Sequence, residues 1–309
     1  MGFDSAQGVH AQVRDAGFGV SESLAALVRW SDVLVLCVPI GAEAAVLDEV
    51  AAHAVSRGQV DKPLVVTDAS SVKLDLDSAI LQQAKQEGSL VFVPGHPMAG
   101  TEKAGFQASL DGLFGGAVWV LCPDQGETEE YVVALMGIIS ALNARAICLT
   151  VSDHNRIVAE ISHLPYVLAA TEVLAVSDGR EGEQSLRLAA SSFRDVTRVA
   201  SSPPSLSAAM TGWNHQALRQ ALDRAQEAID QFRSAMDAGG VVAVAQLEEL
   251  FEAARAKRTR YLGMRSETVV KEADVAKGTL VSACLELGSL GHTIRSVEDG
   301  GATWRLSSD

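Results

Sequence analysis

Asp32-Val33-Leu34-Val35-Leu36-Cys37-Val38-Pro39 is apolar at every position between its acidic start and its proline. A strand with one face in water alternates apolar and polar side chains. A run without alternation reads as a strand covered on both faces. Leu64-Val65-Val66-Thr67-Asp68, Leu90-Val91-Phe92-Val93 and Ala117-Val118-Trp119-Val120-Leu121-Cys122 repeat the pattern, as do residues 144–149. Between these runs lie stretches of helical length, one carrying Ala45, Val46 and Val50, another spanning residues 129–142. Strands alternating with helices predict βαβ units, so the fold class is α/β: a doubly wound, Rossmann-like, mostly parallel sheet. Ser21 reads as the cap of a short helix carrying Leu24, Leu27 and Val28, and Ser70 and Ser71 as caps of the helix after the second strand.

Outward from this sheet, Met1-Gly2-Phe3-Asp4 reads as the end of a strand, followed by a helix and a Gly17-Phe18-Gly19 turn. Beyond residue 150 the period becomes helical. Ile157, Ile161, Leu164 and Leu168 form one stripe of a long helix that begins near Asp153 and is kinked by Pro165. Leu206, Met210, Trp213, Ala217, Ala221, Ala225 and Phe232 mark a second long helix, whose stripe suits core packing or a dimer interface. Residues 244–261 make a third. The end of the chain reads as strand 266–271, helix 275–287 and strands 293–297 and 302–306, a small βαββ appendage. The expected domains are 1–150 (dinucleotide-binding), 151–262 (helical) and 263–309 (appendage).

Of the 309 residues, 48% are hydrophobic and 21% charged, the balance of a folded globular chain. A net charge of −14 argues against non-specific nucleic-acid binding and against an anionic membrane surface. No apolar run reads as a membrane span. Residues 1–20 lack a basic-then-apolar signal pattern. Cys37, Cys122, Cys148 and Cys284 lack Cys-x-x-Cys spacing, so they read as buried free thiols in a reducing cytoplasm, and no metal site is expected.

The chemistry concentrates in Val93-Pro94-Gly95-His96-Pro97-Met98-Ala99-Gly100-Thr101-Glu102. The C-terminal ends of parallel strands are where open α/β sheets bind ligands. Gly95 permits close backbone approach, and Pro97 stiffens the turn. His96 therefore sits on a stiff loop, either as a turn residue without chemistry or as a base. His154 and His163, nine residues apart, point in roughly opposite directions on a straight helix and are not joint ligands. Arg156, Glu160 and His163 share a face.

Four motifs occur in order: Thr67-Asp68-Ala69-Ser70-Ser71-Val72-Lys73, His96-Pro97-Met98-Ala99-Gly100-Thr101-Glu102, Ser162-His163-Leu164-Pro165 and Phe193-Arg194-Asp195-Val196-Thr197-Arg198-Val199-Ala200. Together they resemble the prephenate/arogenate dehydrogenases of tyrosine biosynthesis, closest to the actinobacterial kind, over residues 1–232. The resemblance implies an NAD(P)-dependent oxidative decarboxylation, giving 4-hydroxyphenylpyruvate from prephenate or tyrosine from arogenate. It implies His96 as the base, with Ser71 holding histidine and hydroxyl in place. Arg198 would grip a substrate carboxylate, with His163, Thr101 and Ser202 beside the substrate. Asp4, Val38, Pro39 and Ser70 would line the cofactor. It also implies a homodimer formed through the helical domain.

Several residues depart from the family pattern. Ser70 replaces a glycine, Ala190-Ser191-Ser192 a segment with a glycine pair, and Ser207 a tryptophan, which leaves prephenate and arogenate both open. The opening Gly-x-Gly-x-x-Gly turn is not in the sequence, and Gly17-Phe18-Gly19 does not substitute for it. The expectation is a natural start roughly 30 residues upstream, or weak cofactor binding and a substrate- or tyrosine-binding remnant. An acidic residue at a strand end pairs with ribose hydroxyls, so Asp4 favours NAD over NADP.

Overall fold

The computed structural model describes residues 1–58, 62–101, 105–126, 128–264 and 271–309. The chain begins with α1 (Gln7–Asp15), α2 (Leu24–Trp30), β1 (Val33–Leu36), α3 (Glu43–Ser56), β2 (Leu64–Asp68), α4 (Ala79–Gln86) and β3 (Leu90–Phe92). β1, β2 and β3 form a parallel sheet in that order. α2, α3 and α4 cover one face with Leu27, Val28, Leu47, Val50 and Leu81 against Leu34, Leu36, Leu64 and Val66. The other face is open at β1, where Val35 is 41% exposed and Cys37 is exposed. Full burial of that run was expected; the cover on this side begins only at β2.

Two helix starts differ from expectation. Ser23, not Ser21, caps α2 by accepting from Ala26 N, while the Ser21 hydroxyl donates to the Ser23 carbonyl. Ser70 and Ser71 cap nothing, because the chain after β2 stays irregular until Ser78 caps α4. Met1-Gly2-Phe3-Asp4 is not a strand end; Gly2 makes one isolated parallel bridge to Val20.

At Pro94 the chain changes partners. Val93 N still donates to Val66, but the Pro94 carbonyl accepts from Cys122. β4 (Gly95–Pro97) then runs antiparallel to β5 (Val118–Leu121), so His96 lies on a short strand rather than a loop. Gly95 makes this possible: a Cβ there would lie 2.6 Å from Thr67 Oγ1 and 2.9 Å from the Asp68 carbonyl.

After β5 come α5 (Glu129–Ala141), β6 (Arg145–Cys148) and α6 (Val151–Val158), capped by Thr150, then a π-helical turn over Ala159–His163 and α7 (Leu164–Ser177). The turn lies just before Pro165, which has no N–H to donate and whose ring crowds the preceding carbonyls. α8 (Gly182–Leu188), α9 (Ser191–Thr197), a 3₁₀ turn over Arg198–Ser201, α10 (Pro204–Trp213), α11 (His215–Asp237) and α12 (Gly240–Met264) complete the helical part. The second long helix of the sequence reading is thus two helices that break at Asn214.

Val151–Ser177 is a 27-residue helical stretch containing an 18-residue window of mean hydropathy 1.3, long and apolar enough to cross a membrane by length and composition alone. The sequence reading missed this because Asp153, Arg156 and Glu160 interrupt its first half. From residue 161 to 177 only Glu172 is charged. Its buried His154 and His163 lie inside the protein.

β7 (Lys271–Ala276), α13 (Leu280–Ser289), β8 (Ile294–Asp299) and β9 (Thr303–Ser308) form the βαββ unit. Its first strand lies later than expected and takes in Val275; residues 265–270 fall outside the described residues. The unit joins the sheet of the site, in order β4-β5-β6-β8-β9-β7. Its Leu280, Cys284, Ile294, Trp304 and Leu306 share one core with Trp119, Leu121, Leu135 and Ile139. Gly288 sets the approach of α13, since a Cβ there would lie 1.7 Å from the Cys148 carbonyl.

Candidate active site

Asp68 ends β2 with no exposure to solvent. One carboxylate oxygen accepts from Gly95 N at 2.8 Å, the other from Ser70 N at 2.9 Å and from Lys73 Nζ. Lys73 Nζ also donates to the Gly95 carbonyl. Both side chains of this ion pair are 1% exposed. A buried pair is tolerated when further hydrogen bonds satisfy it. Here they fasten β2, the turn after it and β4 together behind His96.

α6 is fastened to the same turn. Asn155 Oδ1 accepts from Lys73 N at 2.9 Å and Nδ2 donates to the Lys73 carbonyl at 2.7 Å. This places His154, which is fully buried, with Nε2 2.9 Å from His96 Nδ1. The two rings meet edge to face, centroids 5.2 Å apart. His163, also fully buried, lies with Nδ1 3.2 Å from Asn214 Nδ2, and that amide also donates to the Asn155 carbonyl at 2.8 Å. His163 Nε2 has no hydrogen-bond partner among the described residues.

The expectation that His154 and His163 face opposite ways fails at the π turn, whose wider coil lags behind a regular helix and brings both toward the site. His163 lies close enough to weaken the basicity of both His154 and His96.

All three rings are poor bases. Burial, then His154, Lys73 and His163, lower His96 to about 3. Burial first, with Lys73 and His163, lowers His154 to about 4 against the opposing hydrogen bond from Asn155. Burial lowers His163 to about 4. Glu43, at the start of α3, goes the other way: burial and then Asp68 raise it to about 7, with Lys73 opposing. The site at neutral pH is therefore a cluster of uncharged imidazoles.

The remaining predicted residues divide. Ser71 is half-buried in the turn beside Ser70, whose hydroxyl donates to the Val72 carbonyl. Val38 is half-buried and Pro39 exposed beyond β1. Thr101 is exposed, and Glu102 lies outside the described residues. Arg198 opens the 3₁₀ turn that packs on α7, exposed, with no ion-pair partner among the described residues. Ser202 is buried and its hydroxyl donates to Tyr166 Oη at 3.5 Å, holding that turn to α7. Asp4 is exposed, its carboxylate accepting from Ala6 N at 2.7 Å, and it does not sit at a strand end. The sequence reading left His154 without a committed role and missed Asn155, Asn214 and the Asp68–Lys73 pair. The adjacency of His154 and Asn155 to the Ser162-His163-Leu164-Pro165 motif was their one local signal.

For a nicotinamide cofactor, the nicotinamide end fits. The strand ends carrying Val38 and Pro39, and Asp68 to Ser71, lie on the His96 side of the sheet. No glycine-rich turn lies beside β1 among the described residues.

A parallel sheet with a neutral histidine at its strand ends and a free guanidinium on the adjoining helical part marks a dehydrogenase-type fold. Residues 1–148 match the nucleotide-binding domain of prephenate dehydrogenase and residues 150–253 its dimerization domain. A solved Corynebacterium glutamicum protein, described as a candidate prephenate dehydrogenase, is 32% identical. That match covers 85% of this chain and 81% of that one, with TM-score 0.71. The Synechocystis arogenate dehydrogenase structure is 26% identical over 83% of this chain and 89% of that one, TM-score 0.69. The Lactococcus lactis prephenate dehydrogenase is 34% identical over 189 residues, 59% of this chain and 49% of that protein. The chain belongs to the prephenate dehydrogenase family. It spans about half the length of the first curated relatives it matches.

Proposed function

We propose that this chain catalyses the NAD(P)-dependent oxidative decarboxylation of prephenate or arogenate, in the cytoplasm, as a step toward tyrosine. The observation that carries this reading is His96 held neutral beside His154, on the side of the sheet where the nicotinamide end fits. A nicotinamide cofactor, held at the strand ends carrying Val38, Pro39 and Ser70, would supply the acceptor for the hydride of the ring carbon that bears the hydroxyl. His96 accepts the hydroxyl proton as that oxygen becomes a carbonyl. The carbon–carbon bond to the ring carboxylate then breaks and CO2 leaves. Its electron pair enters the ring, which becomes aromatic, and the oxygen takes its proton back from His96.

The reaction therefore releases no net proton: the one that His96 takes from the hydroxyl returns to the same oxygen. Ser71 steadies the hydroxyl. Arg198, without a partner among the described residues, grips the side-chain carboxylate as a fork. Thr101 lies nearby for the substrate, and Ser202 acts through Tyr166. The form of the cofactor, NAD or NADP, is for the assay below to decide, because Asp4 does not end a strand. Leu188, Val241 and Phe251, exposed at 84%, 86% and 63%, are the apolar surface through which two copies would pair.

The deciding assay follows reduced cofactor with NAD or NADP and prephenate or arogenate. Turnover of either supports the reading. No turnover with retained substrate or tyrosine binding would replace it with the binding remnant. A monomer in solution would count against the pairing.

A further inference from the structure

We propose that Asn155 and Asn214 are positioning residues that set opposite ring tautomers on His96 and His163. The consequence for catalysis rests on the reaction proposed above; the tautomers themselves do not.

The chain of reasoning starts on the main chain. Lys73 N–H can only donate and the Lys73 carbonyl can only accept. Because Asn155 bonds both, at 2.9 and 2.7 Å, its Oδ1 and Nδ2 have one possible arrangement. His154 Nδ1 lies 3.0 Å from that Oδ1, an acceptor, so His154 carries its hydrogen on Nδ1. A neutral imidazole with Nδ1–H has a bare Nε2. That bare Nε2 faces His96 Nδ1 at 2.9 Å, so His96 also carries its hydrogen on Nδ1. His96 Nε2 is then an acceptor, the state needed to receive a hydroxyl proton. The directions hold at neutral pH because both rings are uncharged there.

Asn214 runs the opposite logic. Its Nδ2 is fixed by donation to the Asn155 carbonyl at 2.8 Å, and its second hydrogen points to His163 Nδ1 at 3.2 Å. His163 Nδ1 must accept, so its hydrogen is on Nε2. That N–H is buried and without a partner among the described residues, a donor left for an oxygen of the ligand. One asparagine thus makes an acceptor for the hydroxyl and the other a donor for an anionic oxygen. The Asn155 carbonyl holds Asn214 in place, while the two tautomer settings are made separately.

The test reads tautomers directly, by nitrogen NMR of the full chain labelled at histidine, near neutral pH, with assignments from single His→Gln variants. Hydrogen on Nδ1 of His96 and His154, and on Nε2 of His163, is expected. Asn155→Leu should release His154 and His96 into mixed tautomers. kcat should then fall by about 10²-fold or more, with the substrate KM within about twofold, as a base presenting the wrong nitrogen predicts. Asn155→Asp keeps the acceptor, so His154 should still carry a hydrogen on Nδ1, while the protein loses stability because an anionic oxygen replaces the donor to the Lys73 carbonyl. Asn214→Leu should alter His163 and leave His96 unchanged.

Hydrogen on Nε2 of His96 in the unaltered protein would overturn the proposal. So would an Asn155→Leu protein that loses thermal stability but keeps both tautomers. A protein with the expected tautomers that turns over neither substrate would overturn the reaction and leave the tautomer assignment standing.

Discussion

The two halves of the site are built in contrasting ways. Around His96 the polar groups form a network in which Asp68, Lys73, Asn155, His154 and Asn214 bond one another across four elements, while Glu43 Oε2, Thr67 Oγ1, Trp119 Nε1 and His163 Nε2 are buried without a partner among the described residues. Around Arg198 the structure is exposed and uncommitted, one 3₁₀ turn held to α7 by a hydroxyl contact at 3.5 Å. Fixed dipoles cost nothing to reorganise at the moment of reaction, and this suits the half that moves a proton. A charge left in water stays free to meet a charged ligand, and this suits the half that recognises one. Mutations on the buried half should therefore act on kcat and stability, and those on the open half on KM.

The largest effect should come from His96→Asn, which keeps a polar side chain but no proton acceptor of similar strength. kcat should fall by about 10²–10⁴-fold with little change in Tm, read by steady-state kinetics and calorimetry. Retained kcat would end the division of labour argued here. Lys73→Met leaves the Asp68 carboxylate buried without its cation and should cost about 3–5 kcal/mol in denaturant unfolding. Arg198→Gln should raise the substrate KM by roughly 10–100-fold through the loss of a charged hydrogen-bonding fork, with kcat nearly unchanged. A fall in kcat instead would place Arg198 with the buried half.

Lowering the pH should unpick the buried half first. Unfolded histidines titrate at 6.5 but the three folded ones at about 3 to 4, so the unfolded chain binds more protons between those values. Stability should fall as the pH drops through that window, by about 1 kcal/mol per histidine between pH 7 and roughly 5.5. Glu43, raised from 4.5 to about 7, opposes this, because the folded state binds its extra proton over that interval. Urea unfolding at several pH values would show a net decline, shallower in the unaltered protein than in Glu43→Gln. Ser202→Ala should be mildest, below about 1 kcal/mol, since it removes one long hydrogen bond.

The sheet was legible because its strands are long apolar runs whose pattern follows from burial alone. β1 through β6 fall within or beside the predicted runs, with β4 the exception. That strand is three residues long and exists because Gly95 admits the Thr67 side chain and the Asp68 carbonyl at close range, a contact set by distant parts of the chain. Motif and charge pointed to His96 and Arg198; His96 is bonded into the buried network, and Arg198 is a proposed substrate contact. His154 was left open between a helix-start residue and a site residue, because regular helical spacing up to Pro165 turned it away from His163. Asn155 and Asn214 carried no signal of their own. An asparagine becomes informative only when both ends of its amide are seen to be occupied, and the partners here lie 82 and 59 residues away.

The π turn over Ala159–His163 has a consequence for the length of the chain rather than its composition. A regular helix advances about 100° per residue, so the loose turn acts as a built-in spacer of one residue. Deleting a single residue ahead of His163 would let α6 and α7 run on as an ordinary helix with α7 in the same phase, whereas a regular helix through all five residues would swing His163 by about 100° off the site. The helical half of this protein is thus held in phase with the sheet by the looseness of one turn, and a variant of the same length whose turn tightened to a regular helix would be out of step however faithful its remaining sequence.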